Sequence, residues 1–210
     1  MKVIVVTGGI GSGKSRVCRI LEEKYGIPVY EADRRAKCLY SEIPGLLASI
    51  EVALGCKLRD DSGEFKPQSL AEIIFSDPAA LKEVESLLFP AMMTDFGKWA
   101  ELTGRQVVAF ESATILEKKQ FDGFGDIVLL VDAPMELRIA RAIERDGVDK
   151  DAVLRRISAQ PLMNRLSEGE NDSRVDFILA NDSTFENLEE KLTKYPCVES
   201  NLPVKHVLTI

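Results

Sequence analysis

The chain has 210 residues, enough for one full hydrophobic core with a small appendage but not for two equal domains. Hydrophobic content of 45% and charged content of 29% exclude a disordered chain, and no apolar run approaches membrane-spanning length. A formal net charge of −7 removes bulk attraction to nucleic acid or an anionic membrane, so any polyanion must be held by local positive charge.

The first predicted strand, Val3 to Val6, runs into Thr7-Gly8-Gly9-Ile10-Gly11-Ser12-Gly13-Lys14-Ser15, which meets the whole GxxxxGKS phosphate-loop pattern. Glycines let successive backbone N–H groups turn toward one anion. Lys14 can then reach β and γ phosphates, the Ser15 hydroxyl can complete a Mg²⁺ shell, and the helix predicted from Val17, Ile20 and Leu21 adds its positive end. A nucleoside triphosphate site follows, with Gly11, Ser12, Gly13, Lys14, Ser15 and Arg16 around it.

A second strand, Val29 to Tyr30 after Pro28, leads into Glu31-Ala32-Asp33-Arg34-Arg35. Asp33 has two readings: the carboxylate that orients an attacking hydroxyl and takes its proton, or the N-cap of the next helix. Glu31 is its local rival. From Ser41 to Trp99 the alternation of strand and helix stops. Pro44, Gly45 and the polar Arg59-Asp60-Asp61-Ser62-Gly63 turn precede helical patterns near Leu70 to Phe75 and Leu81 to Trp99. This segment, 41–99, is expected to be a helical insertion that either holds a second substrate or only thickens the core.

The third predicted strand, Gln106 to Phe110, ends at Glu111, which can hold Mg²⁺ or its water, touch the acceptor, or cap a helix over Ser112 to Lys118. The fourth, Ile127 to Asp132, ends like a Walker-B strand, but Pro134 favours reading Asp132 as a helix-entry cap. Arg138, Arg141 and Arg145 follow at helical spacing, with Arg155 and Arg156 beyond Asp146-Gly147. They make either a cationic lid over the nucleotide or a solvated face paired with Glu136, Glu144, Asp149 and Asp151. A fifth strand is expected over Val175 to Leu179.

Five strands alternating with helices predict an α/β fold, a parallel sheet covered by helices on both faces, with the ligand beyond the carboxyl ends of the strands. Thr7, Glu31, Glu111 and Asp132 stand at or just past those ends. Cys18, Cys38, Cys56 and Cys197 have neither a CxxC pair nor a regular spacing, so neither a disulfide framework nor a zinc site is expected. His206 is the sole histidine, which leaves a Ser/His/Asp triad without parts. Catalysis falls to carboxylates and cations. The first strand starts after Met1 and Lys2, so no secretory leader is expected and the cytoplasm is the expected compartment.

Four blocks in chain order carry a resemblance: Thr7 to Ser15, Pro28-Val29-Tyr30-Glu31-Ala32-Asp33, Phe75-Ser76-Asp77-Pro78, and Arg145-Asp146-Gly147 with Ile157-Ser158-Ala159-Gln160. Together they resemble the dephospho-CoA kinase family over nearly the whole chain. The resemblance implies transfer of the ATP γ-phosphoryl group to the 3′-hydroxyl of dephospho-CoA, with Mg²⁺, giving CoA and ADP. It also implies a three-layer phosphate-loop kinase fold whose core is 1–40 and 100–210, with a lid at about 138–165 and an acceptor-binding insertion at 41–99. Asp33 then is the base, Gly11 to Arg16 bind the ATP phosphates, and Arg141 is a lid residue near the nucleotide. Glu111, Phe89 and Arg16 depart from the Asp, His and Thr usual in the family. ATP and dephospho-CoA are the expected partners, with no nucleic acid and no membrane, for a monomer or weak homo-oligomer. Two alternatives remain: another phosphate-loop small-molecule kinase, or a nucleotide-switched binding protein. The second lacks a DxxG after a strand and an NKxD motif; Ala180-Asn181-Asp182 is the closest string.

Overall fold

A computed structural model of the chain describes residues 1–182 and 185–195. Cys197, His206 and the stretch from residue 196 onward lie outside the described residues. The chain divides into two compact units, one of Met1–Tyr30 with the described residues from Arg105 onward, the other Glu31–Gly104.

The first unit is built on a five-stranded parallel sheet. Its strands are β1 (Lys2–Thr7), β2 (Val29–Glu31), β3 (Val107–Glu111), β4 (Ile127–Asp132) and β5 (Phe177–Ala180), in the order β2-β3-β1-β4-β5. β1 pairs in parallel with both β3 and β4, with Val5 opposite Phe110 and Val128. Strand residues alternate between faces. Ile4, Val6, Ala109, Leu129, Val131 and Leu179 therefore share one face. They pack there with Val17, Ile20 and Leu21 of α1 (Lys14–Tyr25) and with Leu188 and Leu192 of α9 (Phe185–Thr193). Beside the opposite face, Phe110 stacks on Tyr30 at 5.4 Å between ring centroids and meets Phe124 edge-on at 4.8 Å. Five strands were expected and five are found among the described residues. The last begins two residues late because the Asp176 carboxylate, not a strand carbonyl, accepts from the Val128 N–H at 2.7 Å.

The rest of this unit comprises α6 (Met135–Asp146), α7 (Lys150–Ser158) and α8 (Pro161–Ser167). Just before β5, Arg174 spans Asp172 and Asp122, each at 2.7 Å, tying the approach to β5 to the loop before β4. The Arg174 hydrogen bond holds the Asp172 carboxyl below the usual aspartate range. The folded protein binds that proton less readily than the unfolded chain. The stabilisation is therefore complete above the ordinary aspartate pKa near ~4 and disappears as pH falls through the lower folded value. Asp172→Asn is expected to lower the melting midpoint at neutral pH, with the gap to wild type closing in acid. A gap constant from pH 7 to pH 2 would contradict this.

The second unit is helical: α2 (Ala32–Glu42), α3 (Leu46–Leu54), α4 (Pro67–Ser76) and α5 (Pro78–Thr103). Asp77 accepts from the Ala79 N–H at 2.8 Å and Pro78 supplies the first turn, which starts α5 with a side-chain cap and a preset φ. The Asp60 carboxylate accepts from the N–H groups of Ser62 and Glu64, folding Arg59–Phe65 into a tight antiparallel turn. Arg35 joins α2 to α5 through a two-pronged bond to Asp95, 2.8 and 3.0 Å, and reaches Glu42 at 2.8 Å. No helix among the described residues is long and apolar enough to cross a membrane.

Candidate active site

Beyond β1 the chain turns through Gly8 to Gly13 and enters α1 with no side-chain cap, the N–H groups of Arg16 and Val17 donating to the Gly13 carbonyl at 3.0 and 3.2 Å. Gly13 itself stands at the N-cap with φ 100°, a left-handed conformation that costs other residues about 1 kcal/mol or more. The loop closes on itself through Ser12 N–H to the Gly9 carbonyl, 3.1 Å. Lys14 folds back over this turn. Its Nζ donates to the Gly8 carbonyl at 3.0 Å and lies 3.7 Å from Glu111 Oε1, with only 10% and 13% of the two side chains exposed. A buried cation folded over a glycine-rich turn at the start of a helix is what a chain of phosphates requires. The Ser15 hydroxyl is exposed and has no hydrogen-bond partner among the described residues.

The loop is gripped from outside by three side chains, those of Arg138, Gln160 and Asn181. Arg138, fully buried, donates from Nε to the Ile10 carbonyl at 3.0 Å and from Nη1 to Ser167 Oγ at 3.2 Å. Ser167 in turn donates to Asp132 Oδ1 at 2.6 Å. Gln160 Oε1 accepts from the Ile10 N–H at 2.9 Å, and Asn181 Nδ2 donates to the Ser12 carbonyl at 2.8 Å. A methyl at Gly9 would collide with the Arg138 guanidinium, so that glycine serves a close approach rather than an unusual torsion. Burial presses the Arg138 pKa down and the Asp132 charge raises it in part. Buried atoms without partners gather in the same residues: Thr7 Oγ1, Ser12 Oγ, Arg138 Nη2 and Asn181 Oδ1.

The family model for dephospho-CoA kinase matches residues 2–187. The chain belongs to the dephospho-CoA kinase family. A dephospho-CoA kinase of Porphyromonas gingivalis is 37% identical over 175 residues, 83% of this chain and 85% of that one. One from Fusobacterium nucleatum is 31% identical over 193 residues, covering 92% and 96%. Among solved structures, that of TT1252 from Thermus thermophilus aligns with a TM-score of 0.77 at 29% identity, covering 91% of this chain and 94% of that one. The chain is thus an ATP-dependent kinase that transfers phosphate to a hydroxyl.

The predicted site residues fall in different places. Lys14, Ser15, Gly11, Ser12, Gly13 and Arg16 stand in or just after the loop, and Glu111 reaches Lys14 from the end of β3. Arg141, half-buried on α6, donates to the Asn181 carbonyl at 3.2 Å, while its other N–H groups have no partner among the described residues. Asp33 lies on the second unit, two residues past β2, exposed and with no hydrogen bond or ion pair among the described residues.

Four readings of the sequence are corrected. Asp33 does not cap α2: Glu31 occupies the N-cap and no side chain bonds there, leaving Asp33 within the first turn. Asp132 does not cap α6, where Pro134 holds that position; its carboxylate serves Ser167 instead. Ser112 to Lys118 is not a helix to be capped by Glu111 but a bend followed by two short 3-10 turns, Ile115–Glu117 and Lys119–Phe121. Nor do Arg138, Arg141 and Arg145 act as one exposed row. α6 faces the loop, so Arg138 is buried, while Arg145 is bound to Asp146, which also holds Arg156 at 2.7 Å.

Sequence reasoning assigned no loop-holding role to Arg138, Gln160, Asn181 or Ser167. It also missed Glu117, whose Oε1 accepts from the N–H of Leu162 at the start of α8. Arg138→Met keeps the bulk and removes every loop contact. It is expected to raise the KM for ATP about ten-fold. The melting midpoint should also fall, since the Ile10 carbonyl and the Ser167–Asp132 pair lose the guanidinium. An unchanged KM for ATP would reduce Arg138 to a packing residue.

Proposed function

We propose that this kinase moves the γ-phosphoryl group of ATP to the 3′-hydroxyl of dephospho-CoA, with the loop and Lys14 holding the triphosphate and Asp33 serving the acceptor. The observation that carries the loop assignment is the Lys14 ammonium, folded over the turn and set between the Gly8 carbonyl and Glu111. The residues present also fit magnesium. Ser15 offers a hydroxyl and Glu111 a carboxylate oxygen, and Mg²⁺ characteristically takes few protein ligands alongside phosphates and water. Held by Ser15 and Glu111, the ion would supply positive charge to offset that of the phosphates.

The protein's own share is positional. Gly11 to Arg16 bind the phosphates, and Lys14 carries the charge of the transferring group. Asp33 accepts the proton of the 3′-hydroxyl as its oxygen forms the new bond to phosphorus and the bond to the ADP oxygen breaks. Arg141, with unpartnered N–H groups, contacts the nucleotide as part of a lid over about 138–165. The segment read as 41–99 binds the acceptor. We place the enzyme in the cytoplasm as a monomer or weak homo-oligomer without nucleic acid partners; the net charge of −7 supports the last point.

The test is direct. Purified protein with Mg²⁺, ATP and dephospho-CoA should yield CoA and ADP by mass, while shikimate, gluconate and nucleoside monophosphates should yield no phosphorylated product. Preferred turnover of one of those acceptors would overturn the assignment.

A further inference from the structure

Helix α2 carries more than Asp33. At about 100° per residue, Asp33, Lys37 and Tyr40 fall within about 60° of one another around its axis, and Tyr40 stands about 10 Å farther along. Lys37 is exposed and has no ion pair among the described residues. At the far end of this stripe, Tyr40 forms one wall of a cavity of about 540 Å³, with Pro44, Leu47, Arg59, Glu64 and Phe65 among the others. That volume is in the range of a pocket for a small organic ligand. The Tyr40 and Phe65 rings meet at 5.1 Å, and the Tyr40 hydroxyl has no hydrogen bond among the described residues. Burial, aided by the Glu85 charge, pushes the phenol up to about 12, so it remains a donor at every working pH. The cavity lining therefore includes two aromatic residues, a carboxylate, and a guanidinium already paired with Glu51 at 3.3 Å. This is a lining for an uncharged chain of amides and methylenes rather than for a second phosphate.

We propose that this cavity holds the pantetheine arm of the acceptor, with Lys37 facing the diphosphate. The inference rests on the proposed function and extends it to recognition of the arm. The order along the helix, carboxylate then cation then amphipathic cavity, repeats the order along dephospho-CoA of ribose hydroxyl, diphosphate and two-amide arm. An extended diphosphate and arm is longer than the ~10 Å that separates Asp33 from Tyr40. Binding energy from an arm remote from the reacting oxygen would be spent on selecting and placing the acceptor.

The experiment compares two acceptors at saturating ATP: dephospho-CoA and the methyl ester of adenosine 5′-diphosphate, which keeps the 3′-hydroxyl and diphosphate but lacks the arm. Wild type should favour dephospho-CoA in kcat/KM. Tyr40→Ala should lower that preference about ten-fold, mostly through KM. Ser41→Trp, at an exposed position on the cavity rim, should do the same by filling it. Lys37→Ala should weaken both acceptors together. If both acceptors lose equally in the Tyr40 and Ser41 variants, or neither loses, the cavity does not hold the arm. Absence of product from either acceptor with wild-type protein would instead remove the parent assignment and this inference with it.

Discussion

Lys14→Ala is expected to lower phosphoryl transfer about a thousand-fold or more, equivalent to about 4 kcal/mol of transition-state stabilisation. The Lys14 side chain is 10% exposed, bonded to the Gly8 carbonyl and set against a carboxylate that is 13% exposed. In a site so shielded a positive charge acts far more strongly on a transferring phosphoryl group than it would in water. Arginine should not restore the activity, since a planar fork cannot take the place of a compact ammonium within the turn. The variant also leaves Glu111 without this cation. A modest fall in melting midpoint is therefore expected, and a folded protein with nearly normal turnover would remove the loop from the mechanism.

Asp33→Asn is expected to lower kcat by roughly a hundred-fold to ten-thousand-fold, with little change in the KM for ATP. The substitution is nearly isosteric, and the side chain it replaces makes no bond among the described residues. Stability discriminates between the two roles weighed for this residue. Losing an N-cap costs typically ~1 kcal/mol, but Glu31 holds that position, so only the smaller contribution of a negative charge in the first turn, about 0.3–1 kcal/mol, is at stake. A large loss of kcat with an almost unmoved melting curve is the signature of a base. An unchanged kcat would leave Asp33 as an ordinary surface carboxylate.

Local chemistry explains what could be read in advance. The phosphate loop was legible because all its parts are contiguous, and the five strands because β-branched runs alternate with helical periods. Asp33 and Glu111 were singled out for the same reason, each closely following the end of a strand. The supporting shell was not legible. Arginines at positions 138, 141 and 145 have one spacing whether a helix faces water or the loop, and only the fold buries the first and exposes the third. Gly9 shows the burial only in the fold, where a methyl at that position would collide with the Arg138 guanidinium. Asp132 misled because a strand-end acid before a proline matches a cap, whereas its actual partner, Ser167, lies 35 residues away. Glu117 was invisible for a similar reason, 45 residues from the N–H it satisfies.

The most direct measurement follows the phosphate itself. With Mg²⁺, dephospho-CoA and ATP labelled with oxygen-18 on its γ-phosphoryl group, the account predicts CoA carrying the label, with phosphorus–carbon coupling placing it on the ribose 3′-oxygen. Label found only in free phosphate, or on any other oxygen of the acceptor, would contradict it.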